Sequence, residues 1–310
     1  MFVYDVLKPV SLYICSKKNG AKYDRYDYGG RKQMTVKLIA LDLDGTTLNS
    51  KGHLSEGNKH ALTRAIEEGV YVVIATGRCI SSLPEEVLNL PKMQYVITSN
   101  GAKIQDLRNG NTVYSNCLAP ELVEDSEKIL RTCPHIIEIF VDGYAYIEKH
   151  IYDDIMTGEI TYRHREYVKN TRNPVDGLMA FMLENKNDIE NINIFFISQA
   201  AKSEWYPILC TLKNATVTSS LENNWEIGGA TTSKASALAE LGTMLGITKK
   251  EVMACGDSPN DCDMLNQAGI PVAVGNAKPP VKKIAYYITG TNDEDGVAEA
   301  VRKFVFYEEV

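Results

Sequence analysis

The chain has 310 residues, 44% of them hydrophobic and 24% charged, with a formal net charge of −7. That length admits about two domains with a sizeable core, and the composition excludes a disordered or fibrous protein. The acidic balance argues against nucleic acid as a partner, which calls for a basic face, and no window approaches the ~20 apolar residues of a membrane span.

Seven cysteines, odd in number and without a CxxC pair, point to reduced thiols in a cytoplasmic protein rather than to disulfides or zinc. The first 33 residues stand apart. They carry seven basic residues against three acidic ones, and five tyrosines without periodicity. Asp5, Lys8 and Pro9 interrupt their only apolar stretch, which rules out a signal peptide. Because "MTVKLIALDLDG" from Met34 is a self-sufficient first strand, residues 1–33 are expected to be an N-terminal extension, either translated upstream sequence that is not native to the protein or a dispensable, disordered arm.

From Met34 a rhythm of short apolar run, polar or glycine turn and helical stretch begins. "VKLIAL" runs into "DLDGTTLNS", "GVYVVIA" into "TGR" and "QYVIT" into "SNGA"; later "EVMAC" meets "GDSPND", "IPVAV" meets "GNA", and "AYYIT" meets "GTNDEDG". Continuous apolar strands of this kind suit a parallel sheet buried on both faces. Between them, "SEGNKHALTRAIEEG" predicts a helix with Ser55 as N-cap and Gly69 as stop, and "SKASALAELGTMLG" predicts another with Leu238, Leu241, Met244 and Leu245 facing in. The rhythm stops between about Cys117 and Leu221. There a helix-like "APELVEDSEKILRTC" precedes "IIEIFVDGYAYIEK", two strand patterns about a "DG" turn. The fold class expected is α/β, a doubly wound parallel sheet of Rossmann-like order with an inserted α+β cap domain. The expected boundaries are 34–117 and 221–310 for the core and 118–220 for the cap, which would cover the strand-end site.

In such sheets ligands bind beyond the carboxyl ends of the strands, where every polar motif above sits. Asp42 and Asp44 lie two apart, so an extended chain would present both on one side at about 6–7 Å. "ACGDSPNDCDML" repeats the arrangement with Asp257, Asn260 and Asp261. Up to four carboxylates would then gather and repel one another. A divalent cation resolves the repulsion, and oxygen ligands without His or Cys point to Mg²⁺. Thr76, Gly77 and Arg78 offer a hydroxyl, an approachable backbone N–H and a guanidinium, all phosphate ligands. Lys234 opens a helix, where the macrodipole disfavours a cation; an anionic partner would explain the placement, and a solvated lysine is the alternative. The five histidines form no ligand spacing.

These motifs, in this order and spacing from Met34 to the C-terminus, resemble the haloacid dehalogenase (HAD) superfamily, and most closely its Cof-type sugar-phosphatase branch with a large α/β cap. The resemblance implies a phosphoric monoester hydrolase acting on a small phosphorylated metabolite. It makes Asp42 the nucleophile that forms an aspartyl-phosphate and Asp44 the general acid and base. Thr76, Gly77, Lys234 and Asn260 would hold the phosphoryl group; Asp42, Asp44 (through its carbonyl), Asp257 and Asp261 would serve Mg²⁺. Arg78 and Asn100 are placed near the substrate. Two departures are Thr47, where the branch usually has leucine, and Ala235, where it has glycine.

Two alternatives stay open at this level. A phosphomutase would return the phosphoryl group to sugar, and a phospho-aspartate signalling module would keep it on the protein. A general acid/base two residues from the nucleophile favours turnover over the latter.

Overall fold

The structure is a computed structural model that describes residues 35–309; the expectation for residues 1–33 lies outside the described residues. The strands in chain order are β1 (Leu38–Leu41), β2 (Tyr71–Ala75), β3 (Tyr95–Thr98), β4 (Lys103–Asp106), β5 (Asn111–Ser115), β6 (Ile136–Val141), β7 (Tyr144–Glu148), β8 (Arg172–Val175), β9 (Ile189–Phe195), β10 (Ala215–Thr218), β11 (Asn224–Gly229), β12 (Val252–Gly256), β13 (Ile270–Ala273) and β14 (Tyr287–Ile288). They form two sheets.

The first sheet has the order β14-β13-β12-β1-β2-β3-β4-β5. The six strands from β14 to β3 run parallel, as their apolar runs require. β4 and β5 add an antiparallel edge that the sequence rhythm did not announce. The chain winds outward from β1 through β2 to β3, and after the insertion from β12 through β13 to β14. The winding therefore reverses between β1 and β12, which opens a crevice at their carboxyl ends. Helix Glu56–Glu67 begins at Ser55, whose side chain accepts from Asn58 N, and Gly69 ends that turn at φ +84°. Helix Lys234–Leu245 is capped by Ser233. Its Leu238 and Leu241 are buried, but Met244 is 45% exposed, contrary to the inward face expected for it. It lies on the last turn, beyond the packed stripe.

The second sheet has the order β10-β11-β9-β6-β7-β8, antiparallel except for β7 beside β8. β6 and β7 meet at Asp142 and Gly143, both at positive φ, which a two-residue hairpin turn with right-handed strands needs. One face carries Ile137, Ile139, Ile192, Ile194 and Ile227, packed with Leu122, Val123, Met182 and Leu209 from helices Pro120–Leu130, Leu178–Glu184 and Gln199–Leu209. The period of two puts Glu138, Asn193 and Glu226 in one buried row on the other face. β11 ends at Gly229, so pairing into this sheet extends past residue 220, where the insertion was expected to end. The short run "NWEIGG" resembles a turn into the Lys234 helix, yet Ile227 completes the apolar face of the second sheet. The two chain crossings between the sheets lie side by side: the Thr232 hydroxyl donates to the Asn116 carbonyl at 2.7 Å. Among the described residues no helix is long and apolar enough to cross a membrane.

Candidate active site

Asp42 follows β1 in the crevice, its backbone N–H donating to the Cys255 carbonyl of β12 at 3.0 Å. Its carboxylate is buried and accepts from Lys234 Nζ at 2.5 Å. Lys234 is 1% exposed and also donates to Asp261 Oδ1 at 2.7 Å. The cation at the helix start thus has two anions in place of solvent. Burial works against the charge on Lys234, but Asp261 and Asp42 outweigh it and raise its pKa above that of an ordinary lysine.

Asp257 and Asp261 follow β12. Asp261 Oδ2 accepts from the N–H groups of Asp257 and Ser258 at 3.0 and 2.9 Å, closing the turn Pro259–Asp261. Asp257 takes the Thr46 and Ser258 hydroxyls, each at 2.9 Å. Gly45 sits at φ +80°, and a Cβ there would stand 2.9 Å from Asp257 Oδ2, so only glycine lets the loop after β1 lie against that carboxylate. Oxygens of Asp42, Asp257 and Asp261 all lie within 4.8 Å of one another. Burial first, then repulsion from Asp261, pushes Asp42 well above the usual carboxylate range, with Lys234 pulling the other way. The same two causes raise Asp257.

The Asp44 carboxylate is exposed and held by both arms of Arg78, Nε at 2.8 Å and Nη2 at 2.5 Å. The chain turns after Asp42 instead of staying extended, and the Thr47 hydroxyl donates to the Asp42 carbonyl at 2.6 Å to hold that turn. Arg78 also donates to the Ser82 carbonyl at 2.9 Å, so its guanidinium serves Asp44 and its own loop. Thr76 is buried, and its hydroxyl accepts from Arg78 N at 3.1 Å. Asn100 lies against this loop: its N–H donates to the Thr76 carbonyl at 3.0 Å, and its Oδ1 is 3.2 Å from where a Cβ on Gly77 would be. Asn260 Nδ2 donates to Asn100 Oδ1 at 3.3 Å. Three clusters result: Asp42, Lys234, Asp257 and Asp261; Asp44 and Arg78; Thr76, Gly77, Asn100 and Asn260.

A family model described as haloacid dehalogenase-like hydrolase matches residues 39–301, more than half of the chain. The chain belongs to the haloacid dehalogenase-like hydrolases. It is 35% identical over 278 residues to 5-amino-6-(5-phospho-D-ribitylamino)uracil phosphatase YcsE of Bacillus subtilis, covering 89% of this chain and 98% of that one. It is 31% identical to phosphatase YwpJ of the same organism, over 86% of this chain and 99% of that one. A solved haloacid dehalogenase-like hydrolase from B. subtilis superposes with a TM-score of 0.74 at 30% identity, covering 86% of this chain and 99% of its own. A second, from Bacteroides thetaiotaomicron, gives 0.72 at 31%, covering 87% and 99%. This hydrolase is a phosphatase.

The donor set of the hydrolase fits a hard divalent cation. Three buried carboxylates face one ammonium, an excess of about two negative charges in a low-dielectric site. All three donors are oxygen. Sequence reasoning missed Thr46 and Ser258, which hold Asp257, and singled out Thr47 only as a departure, not as the donor to the Asp42 carbonyl; the "GTT" run beside the paired aspartates was the available signal. It also missed Glu190 and Glu226 of the second sheet, whose reach into the site depends on how the two sheets face each other.

Proposed function

We propose that the enzyme hydrolyses small phosphorylated metabolites, sugar and polyol phosphates foremost, with Mg²⁺ and through an aspartyl-phosphate on Asp42. The observation that carries the reading is the Asp42 carboxylate. It is buried at the point where the sheet's winding reverses, beside Lys234 and two further carboxylates.

In this reading an Asp42 oxygen attacks phosphorus, the bond from phosphorus to the ester oxygen breaks, and Asp44 gives that oxygen its proton. Water then attacks the aspartyl-phosphate, Asp44 takes a proton from it, and inorganic phosphate leaves with the Asp42 carboxylate restored. Splitting one difficult displacement into two easier ones suits so slow a hydrolysis. Lys234, Thr76, Gly77 and Asn260 hold phosphoryl oxygens, since neutralisation and in-line placement dominate phosphoryl transfer. Arg78 keeps Asp44 oriented toward the leaving group. The Asp42 and Asp257 carboxylates and the Asp44 carbonyl would hold Mg²⁺, with Asp261 behind them, and the cation would supply charge neutralisation to the phosphoryl oxygens.

The second sheet, with the segment 118–229, acts as the cap, its row Glu138, Asn193 and Glu226 turned toward the site. The choice of sugar and polyol phosphates rests on the YcsE relative, whose name carries a phosphorylated ribityl chain.

Phosphate release should be measured over sugar phosphates, polyol phosphates and nucleotides, with Mg²⁺ and with EDTA. Release with Mg²⁺ that EDTA abolishes is expected. Phosphate that stays on the protein, or passes only between sugars with a bisphosphate activator, would overturn hydrolysis in favour of a signalling module or a mutase.

A further inference from the structure

The turn after β3 holds an unusual backbone. Ser99 and Asn100 are consecutive non-glycine residues at φ +50° and +55°, followed by Gly101 at +99°. L-residues in the left-handed region persist only where their surroundings over-determine them. Here two carboxylates from the second sheet do so. The Ser99 hydroxyl donates to Glu190 Oε2 at 2.5 Å, and Asn100 Nδ2 donates to Glu226 Oε2 at 2.7 Å. All four residues are buried. Each glutamate is in turn anchored in its own sheet. Glu190 accepts from Gly143 N at 2.8 Å, and the other oxygen of Glu226 accepts from Ser220 at 2.6 Å and Asn224 at 2.9 Å.

This turn touches each segment to which a phosphoryl contact is ascribed. Asn100 binds the Thr76 carbonyl through its N–H and lies on Gly77. A Cβ on Gly101 would stand 2.1 Å from the Ser233 carbonyl and 3.0 Å from Lys234 N, so the turn packs directly on the helix start that carries Lys234. Asn100 Oδ1 takes Asn260 Nδ2.

We propose that Glu226, assisted by Glu190, is a positioning residue: a carboxylate of the second sheet that fixes Asn100 and, through it, the phosphoryl-holding groups Thr76, Gly77, Lys234 and Asn260. The inference rests on the assignment of those groups under the proposed function. It makes correct seating of the second sheet a condition for an assembled phosphoryl site. Glu226 acts on the phosphoryl half of the substrate and not on the leaving group.

The test compares Glu226→Ala, Glu226→Gln, Asn100→Ala and the Glu226→Ala/Asn100→Ala pair in the full chain, on p-nitrophenyl phosphate, acetyl phosphate and several sugar phosphates. Losing a charge-assisted hydrogen bond is expected to lower kcat/KM by about ten- to hundredfold, by the same factor for every leaving group. Glu226→Gln, whose amide oxygen still accepts from Asn100, should recover part of that loss. The double variant should be little worse than either single one, because the two residues act in series. Amide hydrogen exchange at residues 99–102 should speed up in Glu226→Ala without any substrate present. A loss confined to some leaving groups would overturn the proposal, because Glu226 would then read the substrate itself. Unchanged rates together with unchanged exchange would also overturn it. Should the wild-type chain release phosphate from no ester, the functional reading fails, and exchange at residues 99–102 alone decides the clamp. If Glu226→Ala does not fold, Glu226→Gln carries the same measurements.

Discussion

At the scale of single residues, Asp42 and Lys234 depend on each other. A buried carboxylate is costly, and the ammonium at 2.5 Å makes it tolerable. Asp42→Asn keeps the shape of the side chain and removes the attacking charge. It should abolish phosphate release while circular dichroism stays that of the wild type; normal turnover by this variant would sink the aspartyl-phosphate reading. Lys234→Ala should behave differently. It strands Asp42 and Asp261 as buried anions without their cation, and breaking such a pair costs about 3–5 kcal/mol. Calorimetry should therefore show a markedly lower Tm as well as lost activity, with added Mg²⁺ restoring part of the Tm. Cys255, beside the same strand end, is a contrast: burial pushes its thiol up to about 12, so it fills the strand and takes no part as a nucleophile.

At the scale of elements, the loops after β1, β2, β3 and β12 are held by close backbone approach as much as by side chains. Gly101 packs on Ser233 at φ +99° with no room for a Cβ. Gly101→Ala should cost about 2–4 kcal/mol, combining left-handed strain with a clash against backbone. Gly110, at φ +74° with nothing within 4 Å, carries only the strain, about 1–2 kcal/mol. Urea midpoints of the two variants measure the difference, and equal shifts would show that the contact with the Lys234 helix is unimportant. The helices Lys149–Thr157 and Arg165–Thr171 went unread in the sequence because each is short and lacks a side-chain N-cap. The six parallel strands were legible because each is an apolar run ending in a polar turn. The edge strand Asn111–Ser115 is largely exposed and so carries no such run.

For the whole molecule, two separate hydrophobic cores lie behind the two sheets. The other face of the second sheet, packed by a smaller cluster with Ile136, Ile147 and Phe195, holds a buried ion pair, Arg172 Nε to Glu138 Oε1 at 2.6 Å. Burial tends to raise the Glu138 pKa, but Arg172 prevails and holds it below the usual glutamate value. A carboxyl depressed in the folded state stabilises at pH above its unfolded value, about 4.3, and that stability is lost as pH falls through the folded value. The second sheet's module should therefore loosen in acid below about pH 4.3. Both tryptophans of the chain, Trp205 and Trp225, pack against the module's larger core, so fluorescence reports its unfolding specifically. Glu138→Gln should flatten the acid limb of that transition and lower stability at neutral pH; an unaltered acid limb would remove Glu138 as its cause.

What the sequence determined by itself was the strand rhythm, the acidic balance of the chain, and the residues that end each strand. Those follow from local physics, because apolar runs must be buried and turns need glycine or short polar side chains. The motifs at the strand ends led to the expectation that the aspartates gather, and the tertiary structure supplies the geometry of that meeting. The reversal of winding at β1 brings Asp42 to Asp257 and Asp261, across more than two hundred positions of chain. It also decided that Arg78, from the loop after β2, holds the Asp44 carboxylate. And it placed Glu226, a residue of the inserted sheet, on Asn100. Periodicity along a chain records which face a residue takes within its own element; it holds no record of which other element will stand opposite.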